Sequence, residues 1–221
     1  MSRVREAAGG GRLVEVSPAR LAGWFDRFAQ RNDGISSTEA TPDQVVVTGR
    51  NGTVATAAVP FPPLSGTGPP TVRLGVHARR ERRIGLLLVR LGAHSVGVAE
   101  GGKVVVSRTD RHRVHGRSAA GGWSQQRFAR RREGQARQAL RATAEDVLEV
   151  LGPRLGELDA VVLGGDRRAL DELRADDALA GVFALAVPRV LELGEPRRSL
   201  LDEAAERARA VEILVRDPGP R

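Results

Sequence analysis

The chain has 221 residues, 41% hydrophobic but only 3% aromatic, with no cysteine, no tyrosine and a formal net charge of +8 at pH 7. The lack of cysteine excludes disulfides, thiolate metal sites and a cysteine nucleophile, as suits a reducing cytoplasm. The longest apolar runs, 84–89 and 182–187, are strand-sized and far short of the roughly 20 residues of a membrane span, so a cytoplasmic protein of one or two domains is expected, with no membrane partner.

The N-terminal MSRVREAAGGGR is charged and lacks the apolar stretch of a secretory signal. Ser17-Pro18 reads as a helix start with serine as cap, and Leu21, Trp24, Phe25 and Phe28 form an apolar stripe at helical spacing. Gln44 to Thr48 and Thr53 to Val59 read as strands joined by an Asn51-Gly52 hairpin turn. Pro60, Pro62, Pro63, Pro69 and Pro70 mark a stiff linker. The expected domains are therefore 1–72, a small α+β unit with its linker, and 73–221.

The second domain opens as a meander of three strands, Arg83 to Leu91, Ser95 to Glu100 and Lys103 to Arg108. A polar, glycine-containing loop from Thr109 follows, too long for a simple connection in a compact domain. From about Ser124 the period turns helical. Phe128, Leu140, Ala144, Val147, Leu148 and Leu151 fall on one face until Gly152-Pro153. Asp159 to Leu163 reads as a buried strand, Asp166 as the cap of a helix to Arg174, Val182 to Val187 as a strand, and Ser199 to about Leu214 as a final helix. The pattern is α/β with a mixed sheet.

Charge is concentrated in the middle of the chain. Residues 1–72 carry a balance of +1, residues 73–141 of +13 and residues 142–221 of −6. Arginine supplies every cation except Lys103, which reads as a compositional habit, but habit does not explain the clustering. Such a footprint fits phosphate, and nucleic acid above all.

The stretch GGWSQQRFARRREGQ, residues 121–135, lies at its centre. Arg127, Arg130, Arg131 and Arg132 crowd the positive end of the helix dipole, whereas Glu145, Asp146 and Glu149 sit near its negative end. An anionic partner reverses that repulsion, since phosphate suits both arginine forks and the free N–H groups of a helix start. Glutamine does not titrate, but its amide donates and accepts at once, which suits holding a water or a ribose hydroxyl. Gly121 and Gly122 let the backbone approach an RNA end closely.

These residues resemble the middle domain of the archaeal and eukaryotic class I peptide-chain release factors. They resemble more closely the release-factor-like peptidyl-tRNA hydrolases of ribosome quality control, in their actinobacterial branch. The resemblance covers roughly 75–215: RIGLLLVRLGAHSVGVAEGGKVVVSR, the basic Gly-Gly to Ser-Gln loop, and LDAVVLGGDRRAL. Release factors carry Gly-Gly-Gln and the quality-control relatives Gly-Gly-Ser-Gln; here Gly121-Gly122-Trp123-Ser124-Gln125-Gln126 has an additional tryptophan.

The resemblance implies a ribonuclease-H-like mixed-sheet α/β fold and a hydrolase that frees nascent peptides from tRNA on stalled large subunits. Gln125 aligns as the catalytic residue, with Gln126 as the alternative, and Gly121, Gly122 and Ser124 position the loop. RNA contact falls to Arg117, Arg127, Arg130, Arg131, Arg132 and Trp123, the last either stacking on a base or tucking against the sheet. The bond cut is the peptidyl ester, with Gln125 orienting water, or a phosphodiester near the tRNA 3′ end, with arginines stabilising the charge. Neither route needs a metal or other cofactor. The implied partners are peptidyl-tRNA, the ribosomal large subunit and its RNA, met by a monomer; a non-enzymatic ribosome- or RNA-binding factor is the alternative.

Other motifs carry less. His112 and His115 lack the further ligands a metal needs. Gly164-Gly165 lacks the spacing and lysine of a phosphate loop. His94 and Ser95, adjacent in a strand, face opposite sides and so form no Ser-His-Asp arrangement.

Overall fold

A computed structural model describes the backbone of residues 3–90, 92–111 and 124–218, and their side chains except for 124–133. In chain order the elements are β1 (Arg3–Glu6), β2 (Arg12–Val16), α1 (Leu21–Arg31), β3 (Ile35–Ala40), β4 (Gln44–Gly49), β5 (Val54–Ala58) and α2 (Pro70–Arg79). Then come β6 (Arg83–Arg90), β7 (Ala93–Glu100), β8 (Lys103–Arg111), α3 (Ser124–Val150), β9 (Ala160–Gly165), α4 (Arg167–Arg174), α5 (Ala180–Ala184), β10 (Ala186–Leu191), α6 (Arg198–Arg209) and β11 (Val211–Arg216). They divide into two compact units, residues 1–81 with 206–221, and residues 82–205. The division differs from the expected 1–72 and 73–221, because the first unit keeps α2 and takes the chain's last strand into its sheet.

That sheet is antiparallel, in the order β1-β2-β11-β5-β4-β3. Alternation along β4, β5 and β11 puts Val45, Val47, Ala55, Ala57, Val211, Ile213 and Val215 on one face, where Leu21, Phe25 and Phe28 of α1 and Leu74 of α2 cover them. On the reverse face Arg207 grips Glu15 with two bonds, 2.7 and 3.0 Å. The Asn51-Gly52 hairpin forms as expected.

Several expectations for this unit need correction. Ser17 makes no side-chain cap; Pro18 instead heads a 3₁₀ turn that leads into α1. The proline stretch is no free linker. Val59, Phe61 and Leu64 are buried, and His77 of α2 pins the segment, its Nε2 2.8 Å from the Pro60 carbonyl and its Nδ1 accepting from the Ser65 N–H at 3.2 Å. Pro70 begins a helix, where its missing N–H does no harm. The expected terminal helix stops at Arg209, and Val211, Ile213 and Val215 alternate as a strand in the slot between β2 and β5.

The second unit is built on the sheet β10-β9-β6-β7-β8. β6, β9 and β10 run parallel, while β7 and β8 are an antiparallel meander. Counted from β6, the order is the mixed-sheet, ribonuclease-H-like α/β arrangement. α3, α4 and α5 bury Val147, Leu151, Leu170 and Val182 against one face, and α6 brings Leu201 against Gly97 on the other. Cover on both faces explains why β6 is apolar along nearly its whole length.

Asp166 caps α4, accepting from the N–H groups of Arg168 and Ala169 at 2.9 and 3.5 Å. Just before it, Gly165 has φ +99°, and a Cβ there would collide with the Val89 carbonyl. The expected strand over 182–187 is instead α5 followed by β10. Pro188 falls where the β10–β9 register shifts, on an edge strand that tolerates its missing donor.

Candidate functional site

The candidate stretch falls in the sequence between β8 and α3 and runs into the start of α3. Arg117, Gly121, Gly122 and Trp123 lie outside the described residues, as do His112 and His115. Ser124, Gln125, Gln126, Arg127, Arg130, Arg131 and Arg132 lie on the first turns of α3, where only the backbone is described. The stretch thus meets a helix start, and Ser124 is the first residue of α3, as expected.

α3 is 27 residues long, yet its first buried position among the described residues is Ala139. From there Thr143, Ala144, Asp146, Val147 and Val150 line the buried face, and Leu148, expected on it, is instead 39% exposed. A rise of ~1.5 Å per residue sets Gln125 roughly 30 Å along the helix from Asp146. The buried face of α3 from Ala139 onward therefore serves as its anchor.

The anchor is polar. His94 of β7 is 1% exposed, and its Nε2 lies 2.8 Å from the Asp146 carboxylate, itself 7% exposed. Its Nδ1 lies 3.1 Å from Thr143 Oγ1, which also donates to the Ala139 carbonyl at 2.8 Å. Arg108 of β8 completes the cluster, placing Nε 3.0 Å from Asp146 and pairing with Glu149. Asp146 therefore binds two strands to the helix. A buried carboxylate is tolerated because each oxygen has a partner.

The same contacts account for the acids near the C-terminal end of α3. Asp146 and Glu149 sit near its negative end but face Arg108, and the Arg154 guanidinium donates to the Val150 carbonyl at 2.7 Å. Arg108 lies three residues before the end of β8, where the described chain breaks off at Arg111. One cluster thus grips both the strand that leads into the loop and the helix that leads out.

The cluster has the parts of a proton relay but is walled in. Thr143 and His94 are too deeply buried to meet a substrate, and Ser95, on the opposite face, pairs with Thr109 at 2.9 Å. Among the described residues, no group of three or more metal-ligating side chains is assembled, and no helix is long and apolar enough to cross a membrane. The sequence reading missed the cluster. The available signal was an acid at helical spacing inside an apolar stripe.

The family model described as acVLRF1, Actinobacteria/chloroflexi VLRF1 release factor, matches residues 82–214, close to the stretch over which the sequence resemblance runs. No curated protein matches the chain. Among solved structures the chain is similar to an archaeal protein at 16% identity, TM-score 0.43, covering 72% of this chain and 48% of that one. It is similar to the archaeal translation termination factor aRF1 at 15% identity, TM-score 0.47, covering 89% and 63%. It is also similar to Dom34 of S. cerevisiae, a translation termination-like factor involved in RNA quality control pathways, at 7% identity, TM-score 0.34, covering 91% and 65%. The chain spans less than two thirds of the length of each.

Proposed function

Since the chain belongs to the acVLRF1 family, the Actinobacteria/chloroflexi VLRF1 release factors, we propose that it is a cytoplasmic peptidyl-tRNA hydrolase that frees nascent peptides on stalled ribosomal large subunits. The observation that carries this reading is the family match itself, whose span includes the whole Gly121 to Gln126 stretch and the helix behind it. The length of α3 supports it, because at ~1.5 Å per residue its first turn lies roughly 30 Å along the helix from Asp146, a reach that suits carrying a catalytic amide into a confined RNA site.

In this reading Gly121, Gly122 and Ser124 shape the loop, and Gln125 orients the attacking group at the tRNA 3′ end. Arg117, Arg127, Arg130, Arg131 and Arg132 neutralise phosphates there, and Trp123 stacks on a base. Gln125 either holds water against the peptidyl ester or helps a 2′-hydroxyl attack the adjoining phosphate.

The test is release from stalled ribosome–peptidyl-tRNA complexes, resolving both the peptide and the tRNA 3′ end. Gln125→Ala is expected to slow release by about 10²–10³, the usual loss for one positioned polar group, with binding retained. Wild-type release by both Gln125→Ala and Gln126→Ala would sink the mechanism. Binding without release by the native chain would make it a non-enzymatic ribosome-binding factor.

A further inference from the structure

The first unit lies almost wholly outside the family match, and its sheet is only partly covered. β1 is exposed at all four positions, and Val4, which pairs with Val14 on the core-facing side, is 62% exposed. The face left open beside α1 is a groove of about 730 Å³. Its floor is Val4, Val14 and Val215, and α1 forms one wall with Trp24 and Phe28.

The rim is cationic. Arg12, Arg27 and Arg31 line the groove against a single acid, Asp217, which lies 3.3 Å from Arg12. Arg27 and Arg31 stand one turn apart on α1 and have no carboxylate partner among the described residues. Like charges at that spacing repel, and an anion between them removes the repulsion. The indole of Trp24 is stacked on Phe28, with centroids 5.6 Å apart and planes at 15°.

We propose that this groove binds a single-stranded segment of RNA, with Arg27 and Arg31 on phosphates and Trp24 as a platform for a base. An apolar, aromatic wall beneath a cationic rim is what an unpaired nucleotide requires, since every base has a π-face and every linkage a charge. An acidic peptide would use the rim and leave Trp24 without a role. The groove reads charge and base plane rather than base identity. Asn32 and Asn51, which close one end, are already occupied: the Asn51 side-chain amide donates to Asn32 Oδ1 at 3.0 Å, and its Oδ1 accepts from the Thr53 N–H. The inference goes beyond the proposed release activity and does not rest on it.

The chain has two tryptophans, so full-length protein carrying Trp123→Phe reports on Trp24 alone. Titration with oligouridine of roughly ten nucleotides, within the range one such site spans, is expected to quench that emission. In the same background, Arg27→Glu/Arg31→Glu is expected to weaken binding at least tenfold. The milder Arg27→Gln/Arg31→Gln should lower the slope of log affinity against log salt by about 1.4, the value for two phosphates on a single strand. Both arginines are exposed, and a melting curve checks that the fold is kept. Trp24 emission that stays constant while filter binding shows RNA held would overturn the proposal, as would unchanged affinity and slope in the variants. Tighter quenching by a polyglutamate of equal length would overturn it too, making the groove a dock for acidic protein. Peptide release, measured separately, reports on Gln125 and leaves the two readings distinguishable.

Discussion

His94 and Asp146, 52 residues apart in the chain, meet at 2.8 Å beneath α3, and the carboxylate spends its other oxygen on Arg108. This contact ties the helix that carries the candidate loop to the two strands beneath it. Asp146 contacts both of the others, one through each carboxylate oxygen.

Removing that carboxylate takes a partner from the buried His94 ring and one of two carboxylates from Arg108. Asp146→Ala is expected to destabilise the protein by about 3 kcal/mol, in the range for breaking a buried pair from one side. Asp146→Asn keeps an acceptor and a similar shape, so it should lose about half as much. Urea unfolding followed by circular dichroism measures both. A loss below about 0.5 kcal/mol for alanine, the level of an ordinary surface change, would show that the cluster does not anchor the helix.

Arg108 tests positioning apart from stability. Its side chain is 47% exposed, so Arg108→Ala should change stability by no more than about 1 kcal/mol. Release is expected to fall by about tenfold in single-turnover rate, because a small misplacement of the loop's base is magnified at its tip. The concentration for half-maximal release should hold steady, and Arg108→Lys should recover part of the rate. An unchanged rate in the alanine variant would assign Arg108 to the scaffold only.

Gly165 is replaceable by no L-residue without rearrangement. With φ +99° and the Val89 carbonyl where a Cβ would go, Gly165→Ala is expected to destabilise by at least about 3 kcal/mol, combining backbone strain with a backbone clash. Chemical denaturation would show it as a lower midpoint. An unaltered midpoint would mean that the turn between β9 and α4 shifts freely.

His77 holds the proline segment of the first unit through Pro60 and Ser65. His77→Ala removes the ring from the buried Pro60 carbonyl as well as from the exposed Ser65 N–H, and should lower stability by about 2 kcal/mol, chiefly through the buried carbonyl. Limited proteolysis is expected to open cleavage between residues 60 and 69 first. Cleavage at the same rate as in the native chain would return that segment to the status of a linker.

Local patterns carried much of this protein in plain view. The β6–β8 meander, the 27-residue helix from Ser124, the Asp166 cap and the Asn51-Gly52 hairpin depend on residues close in sequence, and periodicity reads those directly. So did the grouping of glycines, glutamines and arginines at 121–132, since charge clustering and motif spacing are properties of the chain itself. Tertiary structure decided the rest. Val211 to Arg216 became a strand because a slot between β2 and β5 offers it hydrogen bonds on both sides, which outweighs a helical local pattern. Pro60 to Pro70 became packed structure because His77 supplies partners from outside the segment. His94, Arg108 and Asp146, each unremarkable alone, form one anchor only after β7, β8 and α3 are brought together. A buried charge must find its partner in space, and the chain records that partner only through the fold.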